Sequence, residues 1–172
     1  MYETNFHKAA TAQDAAALLT KLDDGKILAG GQTLIPTMKQ RLAAPSDLID
    51  LSQATALRGV TITKRKKMGV LKAEGGETIT IGAMTTHSEV AGDVELVKVC
   101  PVICGLAGNI GDPAVRHRGT IGGSVANNDP AADYPAALLA LGATIHTNTR
   151  EIAAADYFTG MFATALTDDE II

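Results

Sequence analysis

Two glycine-containing stretches carry the residues that could do chemistry. One is Ala29–Leu34, which reads Ala-Gly-Gly-Gln-Thr-Leu; the other is Arg116–Pro135, with glycines at 119, 122 and 123 and a small hydroxyl residue on each side of the Gly122–Gly123 pair. Glycine lets the backbone adopt φ > 0 and approach a ligand closely, and successive exposed N–H groups can bind an anion. We therefore expect both stretches to converge on the phosphates of one ligand.

Each stretch also has a purely structural interpretation. Gly30–Gly31 is compatible with a tight turn in an α/β lobe, and Gly119–Ser124 with a glycine-rich hairpin or bulge. The first stretch lacks both the Gly-x-Gly-x-x-Gly spacing of a Rossmann fold and the Lys and Ser/Thr of a P-loop. Because the two stretches lie in parts of the chain with different secondary-structure patterns, together they favour a cofactor held in a cleft between lobes.

Polar residues near the second stretch have open roles. Asp133 is either a carboxylate at the start of a helix or an acceptor for hydroxyl or ring N–H groups of a ligand. Arg116, His117 and Arg118 either supply positive charge to a diphosphate or form a solvated basic turn. No nucleophile–base pair stands out, so the sequence predicts a cofactor site without catalytic residues of its own.

The elements that must position these residues follow from the hydrophobic pattern. Residues 1–55 predict a β-α-β-α-β lobe, with strands and helices at Tyr2–Phe6, from Thr11, Lys26–Ala29, Leu34–Leu42 and Leu48–Leu51. Residues 56–172 predict a second, larger lobe of mainly antiparallel sheet and helices, with β-type runs at Gly59–Thr63, Met68–Ala73, Glu77–Ala83 and Ala143–Thr147, and helices from Thr86 and at Val94–Ala107, Ala136–Leu141 and Ala155–Phe158. The predicted fold class is therefore α+β with two lobes.

Composition excludes some classes of function. With 15 basic and 19 acidic residues the formal charge is −4, which argues against nucleic-acid binding. The N-terminal residues lack the features of a signal peptide and no apolar run approaches the ~20 residues of a membrane span, so a cytoplasmic location is predicted. An iron–sulfur cluster usually takes four thiolate ligands, whereas Cys100 and Cys104 are the only cysteines, so no cluster is expected on this chain. The four histidines are scattered, and no metal site is predicted.

The sequence resembles a known family, the FAD-binding medium subunits of molybdenum hydroxylases, which include carbon monoxide dehydrogenase and the flavin domain of xanthine dehydrogenase. The matching segments are Ala29–Leu34, Ile81–His87 and Gly111–Ser124 continuing to Asp133, and their order and spacing cover nearly the whole chain. The resemblance implies a vanillyl-alcohol-oxidase-like (PCMH-type) fold with FAD between two lobes. It implies these cofactor-binding residues: Ile27, Leu28, Ala29, Gly30, Gly31, Gln32, Thr33, Leu34, Thr120, Ile121, Gly122, Gly123, Ser124, Asp133 and Ile171.

The resemblance further implies an electron-transfer function. FAD on this chain would receive electrons from [2Fe-2S] clusters of a small partner subunit and pass them to an external acceptor, while a large partner subunit would hydroxylate the substrate at a molybdenum cofactor. Alternatives are a stand-alone FAD-dependent reductase or oxidase of the same fold, and an apo scaffold that docks partner subunits. Family members continue into a third, C-terminal lobe, which we expect to be missing here.

Overall fold

The computed structural model describes residues 1–64 and 76–172. The predicted strand Met68–Ala73 and the basic residues Arg65–Lys67 lie outside these ranges. The strands are β1 (Asn5–Lys8), β2 (Gly25–Leu28), β3 (Asp47–Asp50), β4 (Val60–Lys64), β5 (Glu77–Ile81), β6 (Thr144–His146), β7 (Glu151–Ala153), β8 (Phe158–Gly160) and β9 (Ala163–Thr164). The helices are α1 (Ala12–Lys21), α2 (Leu34–Lys39), α3 (His87–Gly92), α4 (Leu96–Val99), α5 (Pro101–Asn109), α6 (Pro113–Arg116), α7 (Ile121–Asn127), α8 (Tyr134–Ala140) and α9 (Ala154–Tyr157), with a 3-10 helix at Thr55–Leu57.

The N-terminal lobe is a three-stranded parallel sheet with strand order β1-β3-β2. β3 lies in the centre, with Leu48 opposite both Phe6 and Lys26, and all four of its residues are buried. The predicted β-α-β-α-β order is confirmed. β1 begins three residues later than predicted, because Asn5 is the first residue that lies opposite β3.

Helix α1 covers this sheet. The hydroxyl of Thr11 accepts the N–H of Asp14, as the sequence predicted for the helix start. Ala15, Leu18 and Leu22 then pack into a hydrophobic cluster around Ile49, which is fully buried. The helical spacing of these apolar residues therefore fixes which face of α1 contacts β3.

The second lobe combines an antiparallel hairpin with packed helices. β4 and β5 pair so that Val60 lies opposite Ile81, and β6 pairs antiparallel with β7. Its core joins α3, α5, α7 and α8 through buried residues that include Val90, Ile103 and Tyr134. The sheet here consists of separate two-stranded pairs, among the residues that the structure describes.

The predicted helix Val94–Ala107 is wrong in one respect: the structure has two helices, α4 and α5. They separate at Cys100, whose φ of −146° and ψ of 67° are not helical. Pro101 explains the break, because proline lacks an N–H and disfavours the helical conformation of the residue before it. Pro101 instead occupies the first position of α5.

The interpretation of Gly119–Ser124 as a glycine-rich hairpin or bulge is also wrong, since residues 121–124 form the first turn of α7. Thr120 caps this helix by accepting the N–H of Gly123 on its hydroxyl. The helix ends at Asn127, and its C-cap residue Asn128 adopts a left-handed conformation with φ 44°. Two glycines in the first turn are tolerated because cap and tertiary hydrogen bonds hold that turn.

The chain ends in a segment that has no regular secondary structure but is strongly held. The Glu170 carboxylate is completely buried and accepts hydrogen bonds from Arg150, Thr147, Thr149 and the Thr167 N–H. The next residue, Ile171, packs into the hydrophobic cluster of the N-terminal lobe. The C-terminal segment therefore links the two lobes.

No helix in residues 1–64 or 76–172 combines the length and apolar character needed to cross a membrane.

Candidate cofactor site

A cleft lies where the two lobes meet, and we call it the interlobe cleft. Its volume is about 130 Å³. The N-terminal side supplies Ala29, Gly30, Leu51, Ser52, Ala54, Thr55 and Arg58, and the second lobe supplies Met84, Thr86, Arg118 and Thr120. Pockets that hold a whole drug-sized ligand are usually about 300–1,000 Å³, so this cleft suits a phosphate-sized part of a larger molecule.

Gly30 brings the first predicted stretch into contact with the second. It follows β2, and a Cβ built on Gly30 would lie 2.2 Å from the Arg118 carbonyl oxygen and 2.7 Å from the Gly119 Cα. Gly31 has φ +71°, a conformation that side chains rarely adopt. Glycine is thus required here by the close approach of two backbones, and the two stretches converge as the sequence predicted.

The backbone N–H groups of the first stretch are open. Among the residues that the structure describes, those of Gly30, Gly31, Gln32 and Thr33 donate to no protein acceptor. Gln32 and Thr33 are exposed and the two glycines are half-buried. Four successive unpaired donors beside a cleft fit an anionic group such as a diphosphate.

The N–H groups of the second stretch are already used. Those of Ile121 and Gly122 donate to the carbonyls of Thr85 (3.0 Å) and Ala83 (2.9 Å). Those of Gly123 and Ser124 donate to the Thr120 hydroxyl (3.1 Å) and carbonyl (3.1 Å). Of the described residues 119–124, Thr120 alone lines the cleft, so residues 121–124 do not offer a second set of open backbone donors there.

Gly122 is required by protein packing. A Cβ at this position would lie 2.5 Å from the Ala83 Cβ and 2.7 Å from the Ala83 carbonyl oxygen. Gly122 is buried, whereas Gly123 is exposed and its Cβ would approach Ala29 at 3.7 Å. Gly122 therefore lets α7 pack against the segment before α3, whereas a Cβ at Gly123 would first meet the Thr120 hydroxyl, at 2.9 Å.

The structure separates the three basic residues that the sequence left undecided. Arg116 donates from Nη1 to the carbonyls of Ile110 (3.0 Å) and Gly111 (3.4 Å), and the His117 ring contacts the Pro113 carbonyl. These two residues are engaged in holding their own turn. Arg118 lines the interlobe cleft, so it is the one of the three that lies beside the open donors.

Two other predicted site residues lie away from the cleft lining. Asp133 is exposed at the N-cap of α8, and its side chain makes no capping hydrogen bond. Ile171 donates its N–H to Asn148 Oδ1 (2.8 Å), and its carbonyl accepts the Asn148 N–H (2.9 Å). Ile27, Leu28, Gly31, Gln32, Thr33 and Leu34 also lie outside the lining, around the first stretch. Their contacts with FAD stay predictions.

Sequence reasoning missed Arg58 and the hydroxyl residues Ser52, Thr55 and Thr86 as part of the cleft. Arg58 forms a bidentate ion pair with Glu89, with its Nε 2.8 Å and 3.0 Å from the two carboxylate oxygens. Burial alone would raise the pKa of Glu89, but hydrogen bonds from Arg58 and Thr86 outweigh it and lower that pKa overall. The Thr86-x-x-Glu89 spacing was visible in the sequence as a capping box, which the structure confirms.

The buried ring of His87 packs against the backbone of Gly119 in the second stretch. It is buried, and a Cβ on Gly119 would lie 2.7 Å from its Nε2. Its Nδ1 lies 3.3 Å from the Tyr134 hydroxyl. Burial lowers the pKa of His87, so the ring is neutral at physiological pH. Its place in the fold is that of a packing residue for the Gly119 backbone.

Comparisons with known proteins identify the family of the chain. Residues 2–172 match the family described as the FAD binding domain in molybdopterin dehydrogenase. The chain belongs to this family of FAD-binding domains. The resemblance to this family and the prediction of FAD as the cofactor are thereby confirmed.

Two relatives of this FAD-binding domain are named as medium chains or medium subunits. The chain is 39% identical to the carbon monoxide dehydrogenase medium chain of Afipia carboxidovorans, over 98% of this chain and 56% of the relative. It is 36% identical to the nicotine 6-hydroxylase medium subunit of Paenarthrobacter nicotinovorans, over 95% of this chain and 55% of the relative. The chain thus spans a little over half the length of these relatives.

Solved structures show the same fold. Carbon monoxide dehydrogenase from Hydrogenophaga pseudoflava superposes with a TM-score of 0.87 at 34% identity, over 99% of this chain and 57% of that chain. Quinoline 2-oxidoreductase from Pseudomonas putida 86 gives 0.86 at 30% identity, over 99% and 57%. The predicted α+β FAD-binding fold is confirmed. The boundary between residues 55 and 56 stays a prediction.

Proposed function

We propose that this FAD-binding domain is part of the electron-transfer subunit of a molybdenum hydroxylase. FAD would receive electrons from [2Fe-2S] clusters of a small partner subunit and deliver them to an external acceptor, and a large partner subunit would carry the molybdenum cofactor. The relatives named as medium subunits of such enzymes support this function. Within the chain, the observation that carries it is the run of open N–H donors at Gly30–Thr33 beside the interlobe cleft. We place the complex in the cytoplasm.

The protein's own contribution is to bind and orient the cofactor. The amides of residues 30–33 would hold phosphate oxygens, with Thr120 and Arg118 forming the facing wall. The neighbouring residues Ile27–Leu34 and Thr120–Ser124, together with Asp133 and Ile171, complete the proposed FAD contacts. When bound, FAD supplies the redox chemistry, so the chain needs no nucleophile or acid–base pair for the reaction.

Titration of the purified chain with FAD tests the cofactor assignment. We expect saturable binding, followed by the quenching of flavin fluorescence and by a rise in the melting temperature with FAD concentration. The absence of both responses in a folded protein would contradict it.

The partner assignment needs a separate measurement on the protein produced in its native host. Purification through a tag on this chain should bring down two further chains together with molybdenum and iron. Recovery of a flavoprotein without other chains, molybdenum or iron would instead favour a stand-alone reductase or oxidase.

A further inference from the structure

Arg58 lines the interlobe cleft at the point where the chain leaves the N-terminal lobe. Leu57 and Gly59, the neighbours of Arg58, form hydrogen bonds with the segment before α3. The Met84 N–H donates to the Leu57 carbonyl (2.7 Å), and the Gly59 N–H donates to the Thr85 hydroxyl (2.8 Å), which donates to the Gly59 carbonyl (3.1 Å). Thr85 is 1% exposed. Protein hydrogen bonds therefore position the backbone on both sides of Arg58.

The side chain of Arg58 is 55% exposed and forms an ion pair with Glu89. The Glu89 carboxylate binds the side-on edge of the Arg58 guanidinium. Nε donates to both carboxylate oxygens, and Nη2 lies 2.6 Å from Oε1. A guanidinium is a planar group with five N–H donors, and its end-on edge, formed by Nη1 and Nη2, can still bind an anion in bidentate fashion. Among the described residues, Arg58 Nη1 donates to no acceptor, so this edge is available.

Glu89 is itself held rigidly. Its Oε2 accepts hydrogen bonds from the Thr86 N–H (2.9 Å) and the Thr86 hydroxyl (2.8 Å). Thr86 also lines the cleft, and the neighbouring His87 N–H donates to the Gly119 carbonyl. The Glu89 carboxylate is thus hydrogen-bonded to both Arg58 and Thr86, the residue before α3. The first residue of α3, His87, is in turn hydrogen-bonded to the second stretch.

We propose that Arg58 binds a phosphate oxygen of the cofactor diphosphate through its end-on edge, and that Glu89 is the positioning residue that orients it. This inference rests on the proposed function for the identity of the ligand. A planar bidentate donor matches phosphate geometry, and Arg58 lines the cleft together with Gly30 and a second arginine, Arg118. Because Glu89 neutralises Arg58, the arginine contributes directed hydrogen bonds rather than net charge.

The pair makes a distinctive prediction for a double-mutant cycle. Arg58→Gln removes the donor and leaves the Glu89 carboxylate unpaired beside a phosphate, so the dissociation constant for FAD should rise about 10- to 100-fold. Glu89→Gln keeps an acceptor for the capping box but loses the ionic pair, so it should weaken FAD binding less, by about tenfold or below. The double variant should bind FAD no more weakly than Arg58→Gln, since the unpaired carboxylate is gone.

Inorganic pyrophosphate separates a phosphate contact from a structural role. It should compete with FAD, and Arg58→Gln should raise its inhibition constant by a factor similar to that for FAD. Arg41→Gln and Glu95→Gln are matched controls, because both residues are exposed on the surface outside the cleft lining. Both controls should bind FAD and pyrophosphate as the wild type does.

The outcomes are distinguishable. FAD and pyrophosphate affinities of Arg58→Gln within twofold of the wild type would overturn the role of Arg58, and so would weaker FAD binding with unchanged pyrophosphate binding. If the wild type binds pyrophosphate in calorimetry but no FAD, the proposed function fails while the Arg58 contact is still measured by the pyrophosphate arm. If it binds neither, both fail.

Discussion

At the scale of single residues, Gly30 is the point where the backbones of the two lobes touch. Its missing side chain leaves room for the Arg118 carbonyl, and the open donors of the next residues begin there. Any Cβ at this position must push the first stretch away from the second. The same residue therefore affects both the packing of the lobes and the geometry of the proposed phosphate site.

We expect Gly30→Ala to lower the free energy of unfolding by about 1–3 kcal/mol, as overpacking against a backbone does, and to weaken FAD binding. Gly105→Ala is the matched control. It lies in α5 with no heavy atom within 4 Å of its built Cβ, and it should raise the free energy of unfolding by about 0.5–1 kcal/mol. Urea denaturation measures both. Equal effects of the two substitutions would contradict the close contact at Gly30.

Glu170 gives the protein a stabilising carboxylate that depends on pH. Hydrogen bonds from Arg150, opposed by burial and reinforced by threonine donors, lower the pKa of Glu170 far below its usual value. A carboxyl whose folded-state pKa is lowered stabilises the fold above its unfolded-state pKa of about 4.3, and this stabilisation declines as the pH falls towards the folded-state value.

We therefore expect Glu170→Gln to lower the free energy of unfolding at pH 7 by about 1.5–3 kcal/mol, the contribution of a hydrogen bond to a charged group. The difference from the wild type should shrink as the pH is lowered from 5 to 3. Thermal unfolding across this range measures it. A difference that is independent of pH would show that the charge of Glu170 does not stabilise the fold.

Single-residue patterns predicted part of the site. The glycines at 30 and 31 and the Thr86–Glu89 capping box could be recognised because the residues involved are neighbours in sequence. Arg58 could not, since its partner Glu89 lies 31 positions away and the pairing exists only after the lobes have packed. The requirement for glycine at position 122 could not be predicted either, because Ala83 approaches Gly122 only in the folded structure.

At the scale of elements, local signals determined where most helices begin. Thr11 and Thr86 start α1 and α3 as their spacing from Asp14 and Glu89 predicted. Helix propensity gave the wrong prediction at α7, where two glycines favoured a hairpin or bulge over a helix. Its first-turn amides bond to Thr85, Ala83 and Thr120, and this tertiary support outweighs the entropic cost of glycine in a helix.

The cap of α1 provides a test at this scale. Thr11→Ala should lower the free energy of unfolding by about 0.5–2 kcal/mol, because the Asp14 N–H loses its acceptor. Thr20→Ala, on the exposed side of the same helix, should leave stability unchanged or raise it slightly, since alanine has the higher helix propensity. Denaturant titration compares the two. Equal losses would show that the hydroxyl of Thr11 does not act as a cap.

At the scale of the whole molecule, two adjacent residues belong to different hydrophobic cores. Ile171 packs with Ile49 and Leu51 in the N-terminal lobe, and Ile172 packs against the core of the second lobe. Asn148 holds the backbone of Ile171 from both sides, and Arg150 holds Glu170. The segment after residue 166 thus connects the two lobes that form the cleft.

Ile171→Ala should lower the free energy of unfolding by about 2–5 kcal/mol, because it empties a buried site between the lobes. Ile172→Ala is the matched control, and its cost should be smaller since Ile172 is only partly buried. The ratio of their effects on the melting temperature checks the assignment of the two side chains. A larger effect of Ile172→Ala would reverse it.

The two-lobed α+β architecture could be predicted from the alternation of strand and helix patterns, together with the resemblance. The interlobe cleft could be predicted only as a meeting of two stretches. Which donors remain open beside it depends in part on the hydrogen bonds from Ile121 and Gly122 to the carbonyls of Thr85 and Ala83, and these form between segments that are distant in sequence.

The unequal state of the two sets of amides has a consequence for solvent exchange. In the free protein, the N–H groups of residues 30–33 have no acceptor among the residues that the structure describes and should exchange their hydrogens with deuterated water quickly, whereas those of residues 121–124 should already be protected. A bound diphosphate should therefore slow exchange at the first set and change the second little. Mass spectrometry of the exchanged protein would then map the phosphate site without depending on the colour of the flavin.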